Sequence, residues 1–213
     1  MTQASPTLID PTQATTLPQL IRTAAKRYGA ATAITLDRGN GDREALTFEE
    51  LERQSARLAR GLIARGVGKG SRVGFIYGNN PAFAVIFAAL TRLGAVAIPI
   101  STFIKADELV RVLRQSDVSG LIVQRTLLGK DYVERLCEAL PELAEASQTG
   151  LRIKAVPYLR WVVSSGPSLP PAFYALDWLT DAADSVSEEL LEAIETEVHP
   201  ADQAIEIYTS GSM

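Results

Sequence analysis

Cysteine and histidine are scarce in this chain of 213 residues. A single cysteine, Cys137, cannot form an internal disulfide bond, and it leaves no four-cysteine set for a zinc site. The single histidine, His199, precedes Pro200 in a predicted loop that has no serine or cysteine nucleophile pattern nearby. The single cysteine favours a reducing compartment, which we take to be the cytoplasm. The loop setting of His199 favours a surface or turn-capping role.

Blocks of basic residues and long uninterrupted apolar runs are also missing. Lysine and arginine total 21 against 25 aspartates and glutamates, a net charge of −4, so we expect no nucleic-acid partner. Residues 1–16 are a polar N-terminal tail without the apolar block of a secretion signal. The most apolar stretch, 83–100, is interrupted by Arg92, Gly94 and Pro99. It predicts a buried helix followed by a buried strand, and no transmembrane segment.

What the chain does contain is an alternation of helical and strand-like segments from Thr16 onward. This alternation predicts an α/β fold with a mainly parallel sheet flanked by helices. The turn at 39–42 predicts a small antiparallel hairpin near the N-terminus, because Gly and Asn tolerate positive φ. Thr47 and Glu50 predict a capping box at a helix start. The sequence has no internal repeat or long linker, so we treat 17–213 as one α/β region. The predicted helices are 17–28, 48–65, 81–93, 107–117, 131–146, 176–183 and 188–198, and the predicted strands are 33–36, 44–46, 72–77, 95–100, 120–124, 160–163 and 204–208.

The last predicted strand leads directly into Thr209, Ser210, Gly211 and Ser212. A loop of this composition after a strand can bind phosphate, because glycine lets backbone amides approach closely and the hydroxyl groups donate hydrogen bonds. Clusters of Ser, Thr and Gly also mark ordinary turns. The composition of this loop alone therefore leaves both interpretations open.

Three segments taken together resemble the adenylate-forming enzymes, the superfamily of acyl-CoA synthetases, luciferases and peptide-synthetase adenylation domains. Segment 46–51, Leu-Thr-Phe-Glu-Glu-Leu, matches the opening pattern of that family. Segment 90–101 has Gly94 and Pro99 at the expected places. Segment 208–212, Tyr-Thr-Ser-Gly-Ser, matches the start of the family's phosphate loop. The three segments occur in the family's order.

The resemblance implies a two-step ligase. A carboxylic acid attacks the α-phosphate of magnesium-bound ATP to give an acyl-adenylate and pyrophosphate, and the thiol of coenzyme A then displaces AMP. The expected cofactors are therefore ATP, Mg²⁺ and coenzyme A. The resemblance also implies that Thr209, Ser210, Gly211 and Ser212 bind the β- and γ-phosphates. Segment 101–117 looks more like acyl-CoA synthetases than peptide-synthetase domains, which favours a fatty or aryl acid as the substrate.

The chain also departs from the family pattern at its end. Met213 stands where the family has Thr, and the later family positions for loop lysine, magnesium, ribose and catalytic lysine lie beyond it. We expect an N-terminal fragment, cut inside the phosphate loop, that is inactive alone and self-associates through exposed apolar surface. Two alternatives stay open. One is a non-catalytic α/β binding or interaction module, and the other is a peptide-synthetase-type adenylation domain that acylates a carrier-protein thiol.

Other conspicuous residues have structural interpretations. The segment 66–70, Gly-Val-Gly-Lys-Gly, follows a helix and predicts a helix C-terminal cap, whereas a phosphate loop would lead into a helix. We expect Cys137 to be a core thiol. Arg92 is expected to extend toward solvent or the helix dipole and not to bind a phosphate of coenzyme A. Trp161 and Trp178 are expected to be packing residues.

Overall fold

The structure, a computed structural model, describes residues 15–208. Its helices are α1 (Leu17–Tyr28), α2 (Phe48–Ala64), α3 (Pro81–Arg92), α4 (Ala106–Gln115), α5 (Tyr132–Ala139), α6 (Trp178–Asp181) and α7 (Glu188–Thr196). Its strands are β1 (Thr32–Asp37), β2 (Arg43–Thr47), β3 (Arg72–Ile76), β4 (Val96–Pro99), β5 (Gly120–Val123), β6 (Thr126–Leu127), β7 (Lys130–Asp131), β8 (Trp161–Ser164) and β9 (Phe173–Ala175).

The central sheet has five strands in the spatial order β4-β3-β5-β8-β9, and every neighbouring pair is parallel. Two antiparallel pairs, β1-β2 and β6-β7, lie outside this sheet. The connections β3-α3-β4 and β4-α4-β5 run in opposite directions across the sheet. Because such crossovers are right-handed, α3 and α4 cover opposite faces. The predicted α/β class, the mainly parallel sheet and the N-terminal hairpin are confirmed.

The N-terminal hairpin and the start of α2 follow from local chemistry. Gly39, Asn40 and Gly41 all have positive φ, at 81°, 54° and 81°, which brings β2 back alongside β1. The backbone N–H of Glu50 donates to the Thr47 hydroxyl at 3.1 Å, and the N–H of Thr47 donates to the Glu50 carboxylate at 2.9 Å. The predicted capping box is therefore present, and it begins α2 directly after the hairpin.

Apolar side chains cover the two faces of the sheet in separate clusters. In β3, Val73 and Phe75 pack in the cluster that contains α2 and α3, while Ile76 packs with α4 and α5. The same alternation occurs in β5, where Leu121 and Ile122 belong to different clusters. Since successive side chains of a strand point to opposite faces, these short apolar strands are buried on both sides.

The helix predicted at 131–146 is wrong in its extent. Helix α5 ends at Ala139, and a separate 3₁₀ turn covers Pro141–Ala144. Between them, Leu140 has φ −136° and ψ 81°, which is not helical. Proline disfavours the helical conformation of the preceding residue and has no N–H to donate. Pro141 therefore ends this helix.

Several short elements also differ from the prediction. Strands β6, β7 and β9 were not predicted, and the helix predicted at 176–183 is the shorter α6 followed by a 3₁₀ turn at Ala183–Ser185. The strand predicted at 204–208 forms a single parallel bridge, between Ile205 and Ala97. These elements are two to four residues long, so they carry too little periodicity to be recognised locally.

Candidate functional site

The carboxyl ends of the five parallel strands lie along one edge of the sheet. The strand order reverses at β3, because the chain passes from β3 to β4 on one side and then to β5 on the other. In open α/β sheets, ligands bind outside the carboxyl ends at such a switch point. This edge, between β3 and β5, is therefore the candidate functional site.

Gln124 joins the two loops that meet at the switch point. Its Oε1 accepts hydrogen bonds from the backbone N–H of Gly78 at 3.1 Å and from Nδ2 of Asn80 at 3.3 Å. A Cβ at Gly78 would lie 2.9 Å from Cδ1 of Leu127, so a larger residue here would require the Leu127 side chain to shift. The sequence predicts that a helix begins at residue 81, directly after Asn80, but it gives no role to Gln124. The available signal was a polar residue at the end of a buried apolar strand.

Asn80 also begins α3 at this edge. Its Oδ1 accepts a hydrogen bond from the backbone N–H of Phe83 at 3.0 Å, and Pro81 occupies the first helical position. The side chain therefore caps α3 with its oxygen and contacts Gln124 with its amide nitrogen. This double use fixes the start of α3 against the loop after β5.

An ion pair holds the loop after β5. Arg125 Nε lies 2.9 Å from Asp131 Oδ2, and its guanidinium also donates to the carbonyl oxygen of Pro167 in the loop after β8. Burial on its own would raise the pKa of Asp131, but the hydrogen bond from Arg125 and those from the N–H groups of Glu134 and Val133 lower it. Arg125 thus links two loops of the candidate site to α5.

The loop after β4 presents an aromatic side chain at the same edge. The Tyr132 hydroxyl donates to the carbonyl oxygen of Thr102, and the Phe103 N–H donates to the Ser101 hydroxyl at 3.2 Å. The backbone of this loop is therefore held in place while the Phe103 side chain stays 75% exposed. Lys130 Nζ lies 6.0 Å from the centre of the Phe103 ring.

The terminal segment, 204–208, runs beside β4 toward this edge. The Ala97 N–H donates to Ala204 O at 3.0 Å, and the Glu206 N–H donates to Ala97 O at 3.0 Å. This bridge is parallel, so the segment runs in the same direction as β4 and heads toward its carboxyl end. Tyr208 is the last described residue and is 40% exposed. The predicted phosphate-binding residues, Thr209, Ser210, Gly211 and Ser212, lie outside the described residues.

The glycine-rich segment 66–70 and His199 have structural roles, as predicted. Gly66 has φ +80°; its N–H donates to Ile63 O at 2.9 Å, and the Val67 N–H donates to Leu62 O at 3.0 Å. This pattern is a Schellman cap at the end of α2. His199 is exposed, and its Nδ1 accepts a hydrogen bond from the Ala201 N–H at 3.2 Å, which closes a turn.

The expectation that Arg92 extends toward solvent is wrong. Its side chain is fully buried, with Nη1 2.6 Å from Glu195 Oε1 and Nη2 2.9 Å from Glu52 Oε1. Nε donates to the Ser55 hydroxyl at 3.1 Å. The partners come from α2 and α7, which pack against α3 and provide carboxylates that local sequence cannot indicate. Arg92 is therefore a buried structural ion-pair residue, and its side chain has no exposed surface to offer a ligand.

The remaining candidates pack as expected. Cys137 is partly buried against the core, and burial raises the pKa of its thiol. Trp178 stacks on Tyr174 with ring centres 4.0 Å apart and lies 5.8 Å from Trp161. A Cβ at Gly120 would lie 2.0 Å from the Trp161 ring, so this glycine makes room for the indole.

Within the described part of the chain, residues 15–208, no three His, Cys, Asp or Glu side chains are close enough together to hold a metal ion. The same residues contain no helix that is both long and apolar enough to cross a membrane.

Comparison with known sequences decides the family. The sequence model of the AMP-binding enzyme family matches residues 21–213. The chain belongs to the AMP-binding enzyme family. The resemblance to adenylate-forming enzymes, drawn from segments 46–51, 90–101 and 208–212, is thereby confirmed. In the structure, the first segment carries the capping box of α2, and the second runs from the end of α3 through β4.

Curated relatives include two named ligases. A 4-chlorobenzoate–CoA ligase from Arthrobacter is 34% identical over 139 residues, 63% of this chain and 26% of that protein. The mitochondrial medium-chain acyl-CoA ligase ACSF2 of Danio rerio is 24% identical over 203 residues, 95% of this chain and 33% of that protein. The chain thus spans about a third or less of the length of these relatives.

Solved structures of other proteins share the fold of this chain. A long-chain-fatty-acid–CoA ligase, FadD1, from Archaeoglobus fulgidus has a TM-score of 0.67 and 24% identity, with 100% of this chain and 37% of that chain covered. MbtA from Mycobacterium smegmatis has a TM-score of 0.64 and 24% identity, with 92% of this chain and 32% of that chain covered. At this identity the likeness establishes the fold.

Proposed function

We propose that this chain forms the N-terminal α/β part of an ATP-dependent, AMP-forming acyl-CoA synthetase. The whole protein would convert a carboxylic acid into an acyl-adenylate and transfer the acyl group to coenzyme A. Membership of the AMP-binding family and the names of the relatives support the reaction class. Their greater length supports a chain that contributes part of the active site.

The observation that carries the proposal is the direction of the terminal segment. Residues 204–206 lie parallel to β4, so the chain leaves them toward the carboxyl edge, where open α/β sheets bind their ligands. The residues that follow Tyr208 are Thr209, Ser210, Gly211 and Ser212. We propose that this sequence begins the triphosphate-binding loop beside that edge.

The proposed role of these residues is electrostatic positioning. Hydroxyl groups of Thr209, Ser210 and Ser212 and the N–H of Gly211 would donate hydrogen bonds to the β- and γ-phosphates. Donors fixed in advance stabilise the charge that grows on pyrophosphate as the carboxylate attacks the α-phosphate. Magnesium, when bound, would supply further neutralisation of the phosphate charge.

The proposed substrate is a fatty or aryl acid. Relatives named as a medium-chain acyl-CoA ligase and a 4-chlorobenzoate–CoA ligase support this class. So does the resemblance of segment 101–117 to acyl-CoA synthetases. The proposed compartment is the cytoplasm.

ATP–pyrophosphate exchange with a panel of fatty, aryl and amino acids tests the proposal. We expect exchange by the product of the complete reading frame with a fatty or aryl acid, and none by the 213-residue chain alone. In the active protein, Ser210→Ala should lower kcat/KM for ATP by roughly 10²-fold, because a fixed phosphate donor is lost. Ser185→Ala, which removes an exposed hydroxyl in a surface turn, is the matched control and should have no effect.

Three outcomes would contradict parts of the proposal. Exchange by the 213-residue chain would show that it is active alone. Absence of exchange with every acid by the complete product would favour the non-catalytic module. Exchange with an amino acid, followed by transfer to a carrier-protein thiol, would favour the peptide-synthetase type.

A further inference from the structure

Two sequence features that have no part in the proposed chemistry meet at one end of the sheet. Lys69 belongs to the glycine-rich turn after α2, and Asp202 belongs to the turn that begins at His199. Lys69 Nζ lies 2.8 Å from Asp202 Oδ2 and donates to the carbonyl oxygen of Glu197 at 2.7 Å. The glycine-rich turn at 66–70 therefore contacts the segment that leads to the proposed phosphate loop at Thr209.

Gly94 allows Lys69 to reach these partners. Its φ is +62°, and a Cβ there would lie 3.2 Å from Lys69 Cγ. The Gly70 N–H also donates to Gly94 O at 2.9 Å. The glycine thus lets the lysine side chain pass close to the backbone before β4 begins.

Asp202 closes its own turn while it binds Lys69. Its Oδ2 accepts the His199 N–H at 2.7 Å, and its backbone N–H donates to His199 O at 2.9 Å. The hydrogen bond from the His199 N–H and the one from Lys69 hold the pKa of Asp202 below its usual range. The carboxylate is therefore anionic at neutral pH and bridges the turn to the end of α2.

The bridge to β4 follows this turn immediately. A second ion pair lies directly after the bridge. Ala204 O and the Glu206 N–H both bond Ala97. The Glu206 carboxylate then forms an ion pair with Arg72 of β3. A single bridge specifies register weakly, whereas side-chain contacts before and after it oppose a slip. A slip of one residue would move the chain by about 3.3 Å and turn its side chains to the opposite face.

We propose that Lys69 and Asp202 are positioning residues that set the register of 204–206 on β4 and thereby place the loop that begins at Thr209 against the phosphates of ATP. Only two residues, Ile207 and Tyr208, separate Glu206 from Thr209, so an error in register passes directly to the loop. This inference rests on the proposed function for its second part. Its first part, the register, concerns the described residues alone.

The register is tested in the 213-residue chain by NMR measurement of amide hydrogen exchange. The Glu206 amide, bonded to Ala97 O, should exchange about tenfold faster in Lys69→Met and in Asp202→Asn, because local opening becomes easier. Amides of β3 and β5 should keep their wild-type rates. Lys154→Met removes an exposed lysine elsewhere and is the control; Lys69→Arg keeps the cation and should restore the wild-type rate.

The effect on ATP is tested by pyrophosphate exchange with the product of the complete reading frame. We expect Lys69→Met and Asp202→Asn to raise the KM for ATP about tenfold, since misplacement of a positioned group weakens binding and catalysis. The KM for the carboxylic acid should stay within about twofold of wild type. Lys69→Arg should again recover most of the loss.

Each outcome decides a definite part of the inference. Unchanged exchange of the Glu206 amide in both variants overturns it, whatever the protein catalyses. Equal acceleration of the β3 and β5 amides, or equal change in both KM values, also overturns it, because the pair would then be merely structural. If the wild-type complete product exchanges pyrophosphate with no acid, the proposed function fails, and the role toward ATP fails with it.

Discussion

Arg92 is a fully buried cation held between two carboxylates. Glu195 has a side-chain exposure of only 6% and is bridged by Arg92 on one side and Arg22 on the other. The Glu52 carboxylate and the Ser55 hydroxyl complete the shell around the guanidinium. A buried ion pair of this kind adds little net stability compared with apolar residues, but removal of one partner is costly.

Arg92→Met should therefore lower the free energy of unfolding by about 3 kcal/mol, the lower end for a broken buried pair, because Arg22 still neutralises part of the Glu195 charge. The midpoint of urea unfolding measures this loss. The double variant Arg92→Met with Glu195→Leu should recover much of it. Arg38→Met, which removes ion pairs of the exposed hairpin, should cost less than about 1 kcal/mol. Equal losses in the two single variants would contradict this account.

At the residue scale, the sequence predicts contacts between residues that lie close together along the chain. The Thr47 and Glu50 cap and the glycine cap after α2 depend on neighbours within a few positions, and both are confirmed. The partners of Arg92 lie 40 and 103 positions away along the chain. The sequence pattern around Arg92 therefore predicted a buried helix, but it gave no sign of the distant carboxylates that allow Arg92 to be buried within it.

Helix α5 depends on a charged cap at its start. Asp131 Oδ1 accepts the N–H groups of Val133 at 2.8 Å and Glu134 at 3.1 Å, while Oδ2 binds Arg125. These contacts hold the pKa of Asp131 below its ordinary value against the opposing effect of burial. Since the folded pKa is lower than the unfolded one, ionised Asp131 stabilises the fold above the unfolded pKa of about 3.9. That stability is lost as pH falls through the lower folded pKa.

Asp131→Asn keeps a capping side chain but removes the charge. We expect it to lower the free energy of unfolding by about 1 kcal/mol at pH 7. The difference from wild type should shrink once the pH is lowered below about 3.9. Urea unfolding at several pH values measures it, with the exposed Asp181→Asn as the control. A difference that stayed constant with pH would mean that the charge is not the cause.

At the scale of elements, long amphipathic helices and buried strands were predictable, while ends and short strands were less so. The extent of α5 could have been predicted, because Pro141 is a local helix-terminating signal. Strand β9 could not, because its three residues become a strand only by pairing with β8. The candidate site divides in the same way: its phosphate loop is suggested by composition and family resemblance, whereas the contacts of Gln124 depend on the order of strands.

On the surface of the molecule as a whole, large apolar side chains are exposed near the candidate site. Phe103 is 75% exposed, and Leu128, in the turn between β6 and β7, is 67% exposed. Ile207 of the terminal segment is 63% exposed. Exposed apolar groups of this size favour association when they form a continuous patch.

We expect the 213-residue chain to self-associate as its concentration rises through the micromolar range. Sedimentation velocity measures the change in mass. The variant Phe103→Ser with Leu128→Ser should weaken association, while Leu190→Ser, which removes an exposed apolar group from α7, should not. A single monomeric species at all concentrations would contradict the expectation.

The outer edge of β4 receives its only described backbone partner late in synthesis. Ala97 is made roughly a hundred residues before Ala204, the first residue of its partner segment. At ribosomal speeds of about 5 to 20 residues per second, that edge stays without its backbone partner for on the order of 5 to 20 s. An uncovered strand edge pairs readily with other chains. The nascent polypeptide, more than the finished protein, is therefore the form in which this edge is open to pairing with other chains.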